Sequence, residues 1–215
     1  MPSVLWALTF GNFVIGTGVM VVAGTLNDIS SSLNVSVPVA GQLISAAALL
    51  MCLGAPLMVA VVAKWDRRRL LALTMLWYGV LHLLSATMPT FGSLMTVRVL
   101  TVISPAIFTP QAAACIGQLV PPHQRGKAIS LVFLGWSVAS VLGMPLSSWI
   151  GGTLGWRYAF AAVGLLAFIP GFALLRLSKP HAGWWGLLAA LFGVLVTLAL
   201  HLAYGRRYVA FRRSS

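Results

Sequence analysis

Residues 38–69 read PVAGQLISAAALLMCLGAPLMVAVVAKWDRRR. From Pro38 to Ala63 there is no charge, and then Lys64, Arg67, Arg68 and Arg69 arrive together, interrupted only by Trp65 and Asp66. A helix over 38–63 rises about 39 Å, more than the ~30 Å of a hydrocarbon core. No part of this run offers a surface to water. It therefore spans a membrane, and the cations behind it mark the headgroup region.

The pattern recurs along the chain. Apolar runs fall at 4–26, 38–63, 70–87, 93–119, 128–150 and 157–175, with a last one at 184–204. The composition agrees, with 60% apolar residues, 7% charged residues and a mean hydropathy of +0.96. A soluble domain carries about a quarter charged residues. Membrane-spanning strands would alternate over segments of about ten residues, and this chain has no such segments. The fold class is all-α integral membrane. Asp28 to Ser36 reads as a polar loop, Pro38 suits a first helical turn, Met88–Gly92 makes a tight turn, and Pro121-Pro122 stops the fourth run. The first run is too long for a signal-peptide core and has no basic residue before it, so it reads as the first spanning helix.

The net charge of +12, with fourteen Lys and Arg against Asp28 and Asp66, invites a nucleic-acid reading. Placement excludes it, because the cations sit in short clusters at the ends of apolar runs. The stretches 64–69, 120–127 and 176–183 hold eight of them, whereas 27–37, 88–92 and 151–157 hold only Arg157. Positive charge stays cytoplasmic, so the amino terminus is cytoplasmic and the first six runs alternate from there. A seventh crossing would put Arg206, Arg207, Arg212 and Arg213 outside. Either that run lies in the interface or re-enters, or its natural neighbours are missing.

Cys52 and Cys115 lie within apolar runs and read as small fillers. His82, His123, His181 and His201 are scattered without metal spacing or neighbouring carboxylates. No triad, phosphate loop or acid pair is present, so neither an enzyme nor a cofactor is expected. A seven-helix photoreceptor is disfavoured, since the last run holds no lysine for a Schiff base.

An internal echo suggests a finer architecture. Gly54-Ala55-Pro56 precedes Trp65-Asp66-Arg67, and Gly143-Met144-Pro145 precedes Trp156-Arg157 at a similar distance. Runs one to three and four to six then read as two copies of a three-helix unit inserted in opposite senses, an inverted repeat found in secondary transporters. In the fifth run Gly135, Ala139, Gly143, Ser147 and Gly151 recur every fourth residue and form a small-residue face for close helix approach. Pro145 bends or loosens the backbone beside it. Self-association on this face would favour a functional dimer.

These residues resemble the amino-terminal half of the major facilitator superfamily, in particular its drug–proton antiporters and arabinose-efflux-permease-like members. The resemblance is carried by Asn12 to Asp28 for the first helix and by Gly54-Ala55-Pro56 through Arg69 for the basic loop. It continues with Arg98 in the fourth helix, Pro121 through Ala128 before the fifth, and Gly135 to Pro145 and on to Trp156-Arg157 for the antiporter signature. Val59 and Ala63 stand where the family's basic loop has a glycine and an acid, Val102 replaces a glycine, and Ser148-Trp149 replaces paired glycines. The resemblance implies a six-helix half-bundle over 1–178 built as a 3+3 inverted repeat. Residues 179–215 add a linker, one extra apolar helix and a basic tail. It also implies export of a small drug or sugar-like molecule from a bacterial inner membrane by alternating access, with protons as coupling partner. The missing second half is absent, supplied by another chain, or replaced by self-association. The rival is a non-transporting half-bundle that serves as a remnant or as a partner of another membrane chain.

Within that frame the candidate pathway residues are Asn12, Gln42, Arg98, Thr101 and Thr109, joined on the same helix faces by Thr9, Gly16, Met20, Ser45, Cys52 and Pro105. Arg98 lies about one and a half turns into its run, where a charge costs several kcal/mol unless paired or hydrated. It either binds an anion, takes part in proton coupling, or snorkels to the headgroups. Asp28, at the same end of the membrane, is a candidate partner for it or a loop cap. Coupling or gating falls to Asp28, Lys64, Asp66, Arg67, Arg68 and Arg157, and the fifth-helix motif to Gly135, Gly143 and Pro145. The orientation predicts that a reporter active only outside the membrane works when fused after Thr90 and is silent when fused after Gln124. The opposite pattern inverts the topology.

Overall fold

The structure, a computed structural model, describes residues 3–62 and 65–176, and among these every element is helical. The chain runs through α1 (Ser3–Gly24), a short α2 (Leu26–Ser32), α3 (Val37–Val61), α4 (Arg67–Thr87) and α5 (Phe91–Leu119). A 3-10 turn (Pro122–Gln124) then leads into α6 (Arg125–Val138), a π-helical turn (Ala139–Gly143), α7 (Met144–Leu154) and α8 (Trp156–Arg176). Among the described residues six helical stretches are long and apolar enough to cross a membrane, with α6, the π turn and α7 forming the fifth. Helix is the form that satisfies every backbone group within hydrocarbon. Lys64 and the last apolar run at 184–204 lie outside the described residues.

Several ends differ from the sequence expectation for local reasons. The polar loop expected from Asp28 shrinks to 33–36, because α2 follows α1 after the single residue Thr25. At their junction the Thr25 hydroxyl bonds back to the Val21 carbonyl at 2.7 Å. Helix α4 begins at Arg67 rather than at 70, because Asp66 caps it by accepting the Arg69 amide at 3.0 Å. Three arginines in a first turn oppose the helix dipole, and the capping carboxylate offsets them. The fifth span starts at Arg125 and ends at Leu154, not 128 and 150. Gly155, at φ 104, makes the left-handed corner into α8. Thr90 and Ser93 form a capping box that starts α5 at Phe91.

Helix α4 packs along α8, where Gly79 and Gly164 each face the other's carbonyl. Helix α1 packs on α6–α7 and on the flank of α8, and α5 packs on α3 and α4. The second and fifth spans are lateral. Only 17% and 22% of their apolar windows are buried, against 61% or more for α1, α4 and α5. Their outer faces carry Leu49, Leu53 and Leu57 on α3, and Leu146 and Trp149 on α7.

The small-residue stripe does not serve a second copy. It is filled by α1 of the same chain. A Cβ at Gly135 would strike the Thr9 carbonyl, Gly16 sits on Ala139, Gly143 on Thr17, and Gly24 on Met144 and Ser147. A strict spacing of four advances about 40° per step around a 3.6-residue helix, so five such residues leave one face of a straight helix. The π turn at Ala139–Gly143, placed just before Pro145, takes up that drift and keeps the stripe on α1. Gly135→Ala should therefore lower stability in detergent by about 1–3 kcal/mol through overpacking. Gly152→Ala, with open space at its Cβ position, should stay within about 0.5 kcal/mol of the parent. Equal thermal unfolding of the two variants would contradict this packing.

Candidate functional site: a buried polar path between the helices

Polar contacts between helices occur at successive depths. At the arginine-rich end Arg67 donates to the Ala114 carbonyl of α5 at 2.8 Å, so the start of α4 is tied to α5 rather than left in a free loop. Farther in, Asn12 is fully buried on α1. Its Nδ2 donates to the Val132 carbonyl of α6 at 3.2 Å, and its Oδ1 accepts from Thr109 of α5 at 3.3 Å. One amide thus joins three spans. Thr9 adds a second tie from α1 to α6, its hydroxyl sitting 3.4 Å from the Leu131 carbonyl.

The next level holds Arg98. It is 4% exposed, which rules out the headgroup reading. Its Nη1 donates to the Gly18 carbonyl at 3.1 Å, and its Nε has no partner. Asp28 and Asp66 are the chain's two acids, and neither pairs with it. The Asp28 carboxylate lies against Gly151 on α7 instead, ten residues beyond Gly18, so the suggested pair across the outer mouth does not form. A buried guanidinium without a carboxylate is a costly arrangement, tolerated where it faces a cavity or a functional partner.

Beside Arg98 lies a cavity of about 170 Å³ between α1, α3, α4, α5 and α6. Ile44, Met51, Tyr78, Thr101, Pro105 and Trp136 are among its walls. Thr101, Pro105 and Arg98 thus meet as the sequence suggested, while Thr109 belongs to the Asn12 layer. Gln42, Ser45 and Cys52 are exposed on α3 and are not among the cavity's walls. Sequence reasoning passed over Tyr78 and His82. Tyr78 donates to the Ile15 carbonyl at 3.1 Å, and the His82 ring lies tilted against it at 4.2 Å while also bonding the Tyr78 carbonyl. Their four-residue spacing on one helix was the available signal. Gly18 must be small here, since a Cβ would collide with Tyr78 Oη and approach His82 Nε2.

At the far end Arg157 donates to Ser32 at 3.3 Å and to the Met88 carbonyl at 3.1 Å, and it covers the Trp156 ring at 4.4 Å. This joins the start of α8 to the ends of α2 and α4. Arg68 and Asp66 sit at the opposite end, beside the start of α4. Gly135 and Gly143 are buried against α1, whereas Pro145 is exposed in the first turn of α7.

Six apolar spans with polar groups gathered between them define a multi-pass helical membrane protein. Residues 8–191 match the sequence profile of the Major Facilitator Superfamily, and the chain belongs to that family, one of transporters and not of enzymes. It is 35% identical over 179 residues to the inner membrane transport protein YdhP of Escherichia coli K12, covering 83% of this chain and 46% of that protein. It is also 35% identical to a chloramphenicol resistance protein of Streptomyces lividans, covering 82% of this chain and 45% of that one. In fold it is similar to a bacterial homologue of the human lysosomal transporter Spinster, with a TM-score of 0.70 at 21% identity over 83% of this chain and 45% of the other. The chain spans about half the length of the curated relatives it matches.

Asn12→Ala removes both cross-helix bonds at once and should cost about 1 kcal/mol of stability, as interhelical hydrogen bonds in membranes do. Chemical or thermal unfolding of the variant in micelles checks it, and an unchanged midpoint would mean the amide bears no load.

Proposed function

We propose that this chain is the amino-terminal half-domain of a proton-coupled exporter of small organic molecules in a bacterial inner membrane. The observation that carries this reading is Arg98, buried without a carboxylate beside a cavity at the meeting point of five helices. The similarity to a chloramphenicol resistance protein supports a drug-like cargo, and that to a chloramphenicol efflux pump of Mycobacterium tuberculosis supports export. Asn12, Thr101 and Thr109 line or brace the path. Lys64, Asp66, Arg67 and Arg68 gate its cytoplasmic end, and Asp28 and Arg157 its outer end.

The pairing of helices supports a 3+3 inverted repeat. Exchanging α1 with α5, α3 with α6–α7, and α4 with α8 maps the α1 contact on α6–α7 onto the α5 contact on α3. It likewise maps α4 on α5 onto α8 on α1, and leaves α4 on α8 in place. A cavity of about 170 Å³ is smaller than the ~300–1,000 Å³ of a typical ligand site, so further walls come from outside this half. The uncovered apolar faces of α3 and α7 take that second half. The expected linker, extra apolar helix and basic tail of 179–215 lie outside the described residues. The second reading is a non-transporting half-bundle that pairs with another membrane chain. It is favoured by the largely unburied apolar surfaces of the second and fifth spans.

Liposomes holding the purified chain and an imposed pH gradient provide the test. Labelled chloramphenicol should move against the proton gradient. Arg98→Lys and Arg98→Ala should each lower the flux by about tenfold or more, because the ammonium lacks the planar fork. Undiminished flux in both variants contradicts the role of Arg98, and a folded parent chain with no flux selects the half-bundle reading.

A further inference from the structure

His82 is fully buried, held on α4 between the Tyr78 ring and Phe160 of α8, whose ring centroid is 5.9 Å away. Its Nδ1 lies 3.0 Å from the Tyr78 carbonyl. A carbonyl only accepts, so Nδ1 carries the hydrogen, and in the neutral ring Nε2 is a bare lone pair. That nitrogen has no partner and faces Gly18, 2.8 Å from where a Cβ would stand. The Gly18 carbonyl lies on that side as well, and Arg98 already uses it. A lone pair turned towards a backbone acceptor gains nothing. A protonated Nε2 would make that same carbonyl its partner.

We infer that His82 is a proton-binding site set against Arg98, the two cations competing for the Gly18 carbonyl. This rests on the exporter reading above and gives it a coupling residue in a chain with no acid inside its spans. The proton enters from water onto the Nε2 lone pair, and no other bond is made or broken. An imidazolium donates to both Tyr78 and Gly18, and two positive charges a few ångströms apart in a low-dielectric interior repel strongly. Arg98 then leaves Gly18. Its free Nε and the adjoining cavity give it somewhere to go.

Among the described residues no other charge bears on His82. His82 faces Tyr78 on its own helix, backbone carbonyls on α1, Phe160 on α8 and Arg98 on α5. With His82 neutral, Arg98 is parked on Gly18 and the cavity is open. With His82 protonated, the guanidinium fills the cavity and makes it cationic. Proton and cargo thus exclude one another when the cargo is neutral or cationic, which is what antiport requires. A carboxylate-bearing cargo would instead be drawn in by the proton, so the cargo class is neutral or cationic.

The test uses the full chain with ¹⁵N-labelled histidine in lipid nanodiscs, the His82 signal being assigned by its loss in His82→Gln. At about pH 6 the fraction of His82 protonated at both nitrogens should rise at least about threefold in Arg98→Met and stay near the parent value in Arg98→Lys. Equal fractions in all three proteins, or a His82 that takes no second proton in Arg98→Met between about pH 4 and 9, would overturn the proposal.

A second measurement avoids the arginine variants. Chloramphenicol affinity of the parent should fall about threefold from about pH 8 to 5 and be flat in His82→Gln. The same pH dependence in both, with flux intact, overturns the proton site while leaving export standing. Absence of both binding and flux in the parent sinks the export reading, and the histidine spectra then decide the proton site alone.

Discussion

The hydrogen bond from Arg98 to the Gly18 carbonyl sets the terms for much of the bundle interior. A guanidinium inside a membrane bundle costs several kcal/mol unless something answers it, and here the answer is backbone. For a carbonyl to be reached from the side of α1, residue 18 must lack a side chain and Tyr78 must come close. Tyr78 in turn needs an acceptor of its own and takes Ile15, one turn earlier on α1. Arginine, tyrosine and histidine therefore crowd one segment of α1, and the cavity opens beside them.

That crowding depends on where α1 sits, which the fifth span decides. The glycines and small residues of α6, the π turn and α7 let α1 approach at backbone distance from Thr9 to Gly24. A straight helix would turn its stripe away over that length, and the wide turn before Pro145 prevents it. Packing and flexibility thus lie in the same segment. The π turn is also where the fifth span can be bent most easily, since its backbone bonds are already irregular.

Much of this was legible in the sequence because hydrocarbon leaves few choices. Uncharged runs of spanning length flanked by cations gave the six helices, and Arg98 stood out as a charge within one of them. Ends were less legible. Asp66 as a cap and Thr25 as the short joint between α1 and α2 depend on side-chain geometry that spacing does not reveal. The fourfold stripe on the fifth span was visible, but its partner was not. Periodicity shows that a face is small, not whether a neighbour in the same chain or another copy fills it. Thr101 and Pro105 line the cavity beside Arg98, Gln42 and Ser45 lie exposed on α3, and His82, which looked incidental, lies at the centre. Only the fold decides which face of a helix turns inward when both faces are apolar.

The account turns on Arg98 being held inside the bundle rather than reaching to the headgroups. Hydrogen–deuterium exchange of the Arg98 guanidinium, followed by ¹⁵N nuclear magnetic resonance in nanodiscs, tests this most directly. The account predicts slow exchange with separate Nη signals in the parent chain, against rapid averaged exchange for Arg176 at the exposed end of α8. Rapid, averaged exchange at Arg98 would contradict it.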